Sequence, residues 1–166
     1  LLWTDAIVKQ SRPMYRCANM LVATRIPGGA MLEMTLEVAE RAARGAFAQA
    51  AAMKVAMTVC VVDEAGRLVL AMRGDRTGFL TTDTSRAKAV AAAAFRRPTR
   101  ELVEMQKTNP AFWSAVPAVS RGEALPSTGA VPIIVGNRVI GAIGCGGGSP
   151  DEDHECAVAG AAAAAG

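Results

Sequence analysis

Apolar positions recur at helical spacing from Thr35 onward: Leu36, Ala39, Ala42, Ala43, Ala46, Phe47 and Ala50 fall three and four apart, with Glu37, Glu40, Arg41 and Arg44 elsewhere. This period predicts an amphipathic helix packed on a sheet. The pattern then changes to a continuous apolar run, Met57 to Val62, a turn at Asp63-Glu64-Ala65-Gly66, and a second strand-like run, Arg67 to Met72. A hairpin is predicted there. Beyond the polar loop Arg73 to Leu80, the residues Ala87, Val90, Ala91, Ala94 and Phe95 form one helical stripe, which Thr82 or Asp83 can cap and Pro98 stops. Thr99 can cap a shorter helix through Lys107, ended at Asn109-Pro110, and Ala111 to Leu125 reads as a loop with one helical turn.

A second hairpin follows. Val131 to Val135 and Val139 to Ile143 are rich in β-branched residues, and Gly136-Asn137 between them tolerates positive φ. The second strand runs into Gly144-Cys145-Gly146-Gly147-Gly148, and then Ser149-Pro150-Asp151-Glu152-Asp153 opens an alanine-rich helix. The glycines do not fall at the offsets of a dinucleotide fingerprint, no lysine stands in the loop for a phosphate cradle, and three acids occupy the helix start. Nucleotide binding is therefore disfavoured. The element order lacks alternating strand–helix–strand units, so an α/β (α+β) fold with an antiparallel sheet and helices on its faces is expected.

The chain has 166 residues, 51% of them hydrophobic, which suits one domain with a core of small side chains. Residues 1–29 read as an N-terminal arm and 30–166 as the domain. A formal charge of +3 with scattered basic residues does not indicate nucleic acid. No apolar run is long enough for a membrane span, and Leu1 to Val8 lacks the features of a secretory signal, although a removed N-terminal segment stays open because the chain does not begin with Met. Cys17, Cys60, Cys145 and Cys156 have no C-x-x-C spacing and read as isolated thiols, which fits a cytoplasmic protein.

Three stretches together carry a family resemblance: Thr35 to Asp75, then AKAVAAAAFRRPT, then GAVPIIVGNRVIGAIGCGGGSPDEDHECAVAG. They resemble the GlcG/HbpS-type family of haem-binding or haem-degrading proteins, similar also to the C-terminal domain of the PduO cobalamin adenosyltransferases. The resemblance implies a profilin-like fold with a five-stranded antiparallel sheet flanked by helices, the fifth strand lying within Pro117 to Thr128. It also implies homo-oligomers built through helices and glycine loops, and haem or a related tetrapyrrole as ligand. Where members usually read valine-serine-glycine-glycine after the last strand, this chain reads Cys145-Gly146-Gly147-Gly148.

Candidate site residues follow from chemistry. His154, the one histidine, is either a haem-iron ligand, a proton shuttle whose pKa the neighbouring acids raise, or a solvated polar residue on a charged helix start. Arg73, Asp75, Arg76 and Phe79 either line a pocket that clamps a carboxylate or propionate, or form a solvated loop. Gly146, Gly147 and Gly148 let backbone N–H groups approach a ligand, and Cys145 is a possible nucleophile if the following helix start lowers its pKa. The alternative to a haem-binding protein is an enzyme, or an accessory protein, of small-carboxylate or aromatic catabolism. Its pocket would lie at a subunit interface, where the Gly144 to Ser149 loop, the Arg73 to Phe79 loop and a neighbouring subunit's helix meet, with Arg73 or Arg76 holding a carboxylate and Asp153 and His154 as acid/base pair.

Overall fold

The structure is a computed structural model and describes residues 33–165; the expected N-terminal arm, 1–29, lies outside the described residues. Thr35 begins the ordered sequence of elements. Its hydroxyl accepts the Val38 N–H at 3.2 Å and caps helix α1, Leu36–Met53, which Lys54 ends in the left-handed conformation. Strands β1, Thr58–Asp63, and β2, Leu68–Arg73, form the first hairpin. At its turn Asp63 Oδ1 accepts the N–H groups of Ala65 and Arg67 at 2.9 and 2.8 Å. Helices α2, Thr81–Phe95, α3, Thr99–Thr108, and α4, Pro110–Val119, come next. Strands β3, Ala130–Val135, and β4, Arg138–Gly146, then pair around Gly136-Asn137, and α5, Pro150–Ala165, closes the described chain.

The sheet order is β2-β1-β4-β3 and every neighbouring pair is antiparallel. Alternation along β1 sorts the layers. Val59 and Val61 join the core beneath α1 and α5, whereas Thr58, Cys60 and Val62 turn toward α2. The α1 face is Ala39, Ala42, Ala43, Ala46 and Ala50, and α5 meets it with Ala157, Gly160 and Ala164. Methyl-sized side chains let the two helices approach until a Cβ on Gly160 would collide with Ile143 Cδ1 and lie 2.7 Å from the Ala42 carbonyl. On the opposite face Ala89, Ala92 and Ala93 of α2 pack on Val62, Ala130 and Ala142. The buried stripe of α2 also includes Ser85 and Lys88, while Ala94 is exposed, so the stripe is rotated from the one that the apolar spacing predicts.

The expected five-stranded, profilin-like sheet is corrected: among the described residues the sheet has four strands, flanked by five helices. The segment expected to supply the fifth, 117–128, cannot sustain a ladder. Pro117 lies inside α4, Arg121 and Gly122 take consecutive positive φ values of 54° and 77°, and Leu125 donates its N–H to Ala87 of α2 at 2.9 Å. The loop expected over Ala111 to Leu125 is likewise helical in its first part. Asn109 accepts the Phe112 N–H at 3.3 Å, Pro110 stands at the helix start, and Trp113 and Val116 anchor α4 against Leu102 and Phe95. Thr99 does not cap α3, whose N-cap position is Pro98: its fully buried hydroxyl donates to the Ala130 carbonyl at 3.2 Å and accepts the Ala130 N–H at 3.0 Å, fastening α3 to β3.

Candidate functional site

Strand register brings two loops to one end of the sheet. Thr58 of β1 faces Arg73 on one side and Gly146 on the other, so the loops that leave β2 and β4 start about 10 Å apart, two strand spacings. They touch. Gly147, with φ of +137°, passes so close that a Cβ there would meet the Ala56 carbonyl at 2.5 Å and Thr77 Cγ2 at 3.3 Å. Beneath this junction Thr58 donates to Thr77 Oγ1 at 3.1 Å and contacts Thr81 Oγ1 at 2.7 Å, and Ser85 donates to the Thr58 carbonyl at 3.3 Å. Thr77 in turn donates to the Gly74 carbonyl at 2.7 Å, and Arg73 donates to the Thr77 carbonyl at 3.0 Å. These bonds give the β2–α2 loop a fixed base and leave its tip outside, with Phe79 81% exposed, Leu80 54% exposed, and Asp75 and Arg76 in solvent.

Each acid at the start of α5 has a defined partner. Ser149 and Glu152 form a reciprocal capping box: the Ser149 N–H donates to Glu152 at 2.7 Å and the Glu152 N–H to Ser149 Oγ at 3.4 Å. Asp151 pairs with Arg100 of α3. Asp153 is buried, its Oδ2 2.8 Å from Lys88 Nζ and its Oδ1 accepting the Gly148 N–H at 3.0 Å. Burial pushes the Asp153 carboxyl up, and Lys88 opposes that shift. Lys88 also donates to the Cys145 carbonyl at 3.1 Å. Nothing in the sequence reading singled out Lys88; a lone cation at i+3 from Ser85 and i−4 from Ala92, on the inward side of an alanine helix, is the signal that marks it.

His154 faces α3. Burial lowers its pKa below the usual imidazole range and Arg100 pushes the same way, while Asp151 and Glu155 pull it up. The expected upward shift is thereby reversed. Its Nδ1 is buried and has no hydrogen-bond partner among the described residues. No hydrogen bond or ion pair among the described residues joins Arg73 or Arg76 to Asp153 or His154. Cys145 lies within β4, fully buried, and burial raises its pKa well above the usual thiol value, the reverse of what a nucleophile at a helix start requires.

No group of three or more histidine, cysteine or acidic side chains able to hold a bare metal ion occurs among the described residues. A haem would ask less of the protein, because its macrocycle already holds the iron and a single side-chain donor would suffice. An imidazole whose pKa burial holds below the usual range fits that requirement. No helix among the described residues is long and apolar enough to cross a membrane.

Residues 34–162, nearly all of the described chain, match the family described as haem degrading protein HbpS-like. The chain belongs to this family. HbpS of Streptomyces reticuli, solved as a double mutant, is similar at 30% identity and a TM-score of 0.71, covering 78% of this chain and 86% of that one. A PduOC:heme complex shares the fold at 22% identity and a TM-score of 0.72, over 80% of this chain and 95% of that one. An uncharacterized 15.0 kDa protein of the dhaT–dhaS intergenic region of Citrobacter freundii is 28% identical over 121 residues, 73% of this chain and 84% of the relative.

Proposed function

We propose that this HbpS-like chain binds haem or a related tetrapyrrole at the junction of the β2–α2 and glycine loops, on the surface or in a cleft between copies of the chain. The family match over residues 34–162, whose description names haem, is the observation that carries this reading. The loop tip adds chemical support. Phe79 and Leu80 offer an exposed apolar surface for a macrocycle, and Arg73 and Arg76 are the cations suited to its propionates, with Asp75 between them. Gly147 and Gly148 present backbone at the loop surface that a flat ligand could approach, whereas Gly146 is buried in β4 against Ser85 of α2. His154 is the residue that would hold the iron, and bound haem would supply redox chemistry. The three described cysteines, all buried as free thiols, suit a reducing, cytoplasmic setting.

The alternative of a small-carboxylate enzyme requires Asp153 to exchange protons with a substrate. Both its oxygens are engaged and the side chain is 5% exposed, which favours the binding reading. Titration of the protein with haem, followed at the Soret band, tests it: a saturable specific band is expected, altered in position or intensity in His154→Ala. If no saturable band forms, the proposal fails; an unchanged band in His154→Ala removes only the histidine. Light scattering at micromolar concentration tests the homo-oligomer, and a monomer with and without haem would exclude the cleft between copies.

A further inference from the structure

The Lys88–Asp153 pair is the one buried ion pair among the described residues, the others being exposed on at least one side. Such a pair is poor value as a source of stability, since desolvation of two charges offsets their attraction and an apolar pair of like volume often does as well. Its connections suggest another use. One carboxylate holds Lys88 of α2 through Oδ2 and the Gly148 N–H through Oδ1, and the same ammonium takes the Cys145 carbonyl, so α2, the end of β4, the glycine loop and the first turn of α5 meet at two side chains. Gly129 seals the point from the β3 side: at φ of +126°, a Cβ there would lie 2.8 Å from Asp153 Cβ and 2.9 Å from Lys88 Nζ. The Cys145 N–H donates to the Gly129 carbonyl at 2.8 Å.

The glycine loop needs such an anchor. Three successive glycines have the widest backbone freedom of any residues and no side chains of their own to restrict it. The capping box fixes Ser149, and Gly146 is still in β4, which leaves Gly147 and Gly148 as the adjustable links. Asp153 holds the second of them.

We propose that Lys88 and Asp153 are positioning residues that set the glycine loop in its ligand-accepting conformation. They act through the Gly148 backbone and do not touch the ligand. The inference rests on the tetrapyrrole-binding reading for its ligand, but its structural half stands separately.

The test uses the double variant Lys88→Met/Asp153→Leu, which keeps the volume apolar and avoids the lone buried charge that either single substitution would leave. Two quantities are read: amide hydrogen exchange at Gly147 to Ser149 in the free protein, and haem affinity from the Soret titration. With melting temperature retained, exchange at Gly148 is expected to quicken at least tenfold and haem affinity to fall at least tenfold. Wild-type exchange in a folded double variant would overturn the proposal, as would faster exchange with unchanged affinity. If wild-type protein shows no saturable Soret band, the binding reading fails while the exchange data still decide the anchoring. Should the double variant not fold, Lys88→Met/Asp153→Asn, which also leaves no lone charge but keeps an uncharged amide oxygen toward the Gly148 N–H, is measured in the same two ways, with the same outcomes expected in smaller degree and unchanged exchange again overturning the proposal.

Discussion

The hydroxyls of Thr58 and Thr77 lie 3.1 Å apart, joining the central strand β1 to the loop that ends β2. Both residues are buried, yet Thr77 also donates to the Gly74 carbonyl and Thr81 to the Gly78 carbonyl, so both hydroxyls keep a partner if Thr58 loses its own. Thr58→Val, which removes the hydroxyl at constant volume and with it the contacts to Thr77 and Thr81, is therefore expected to cost about 1–2 kcal/mol, the net worth of two such hydrogen bonds. Urea unfolding measures it. A midpoint equal to that of wild type would mean that the contact contributes nothing.

His154 provides a pH prediction free of overlap, because the chain has 1 histidine and hence one imidazole titration in an NMR experiment. Burial and Arg100 hold its folded pKa below the usual imidazole value of 6.5. The unfolded chain then takes up the proton first, so stability declines as pH falls from that value toward the folded pKa and levels off below it. Arg100→Ala removes a cation and frees Asp151 from its ion pair, and both changes should move the midpoint upward. An unmoved or lower midpoint would contradict the arrangement of α3 and α5 described above.

Local chemistry made much of the fold legible. Asp63 to Gly66 and Gly136-Asn137 are turns whose residue types determine their geometry, and the three-and-four spacing of alanines from Ala39 to Ala50 identifies the α1 face. What escaped depends on tertiary contacts. α4 is short, polar at few positions and contains Pro117, so only the docking of Trp113 and Val116 against α2 and α3 distinguishes it from a loop. Lys88 escaped because a lysine in an alanine helix is ordinarily solvated, and its partner stands 65 positions away. The glycine loop and the Arg73 to Phe79 loop were each visible as candidates, but their contact depends on Thr58 facing both Arg73 and Gly146, a register no local pattern encodes.

The thiols give a third expectation. Burial raises Cys60 and Cys156 to about 11 and Cys145 well above its usual value. At pH 8 a thiol of that kind is ionised in roughly one molecule in a thousand, and only the thiolate is alkylated. Iodoacetamide followed by peptide mapping should leave all three unmodified in native protein and modify all three in denaturant. Rapid native labelling of Cys145 would place it in an open loop and not in β4.

Arg76 separates stability from binding. It is a non-glycine residue at φ of 67°, in a loop whose base is fixed by Thr77 and whose tip is open to solvent. The left-handed conformation costs an L-residue roughly 1 kcal/mol, and glycine avoids that cost but adds about as much freedom to the unfolded chain. Arg76→Gly should therefore alter folding stability by less than about 0.5 kcal/mol, the two backbone effects nearly cancelling. If the guanidinium meets a propionate, the same substitution weakens haem binding severalfold, and the loss shrinks as salt is raised, since an exposed charge pair is screened. Phe79→Ala provides the contrast: its side chain is almost wholly exposed, so stability should again hold, but the loss of affinity should persist at high salt because it comes from apolar contact. Calorimetric unfolding and haem titration at low and high salt measure both variants. Unchanged affinity in both would remove the β2–α2 loop tip from the binding site.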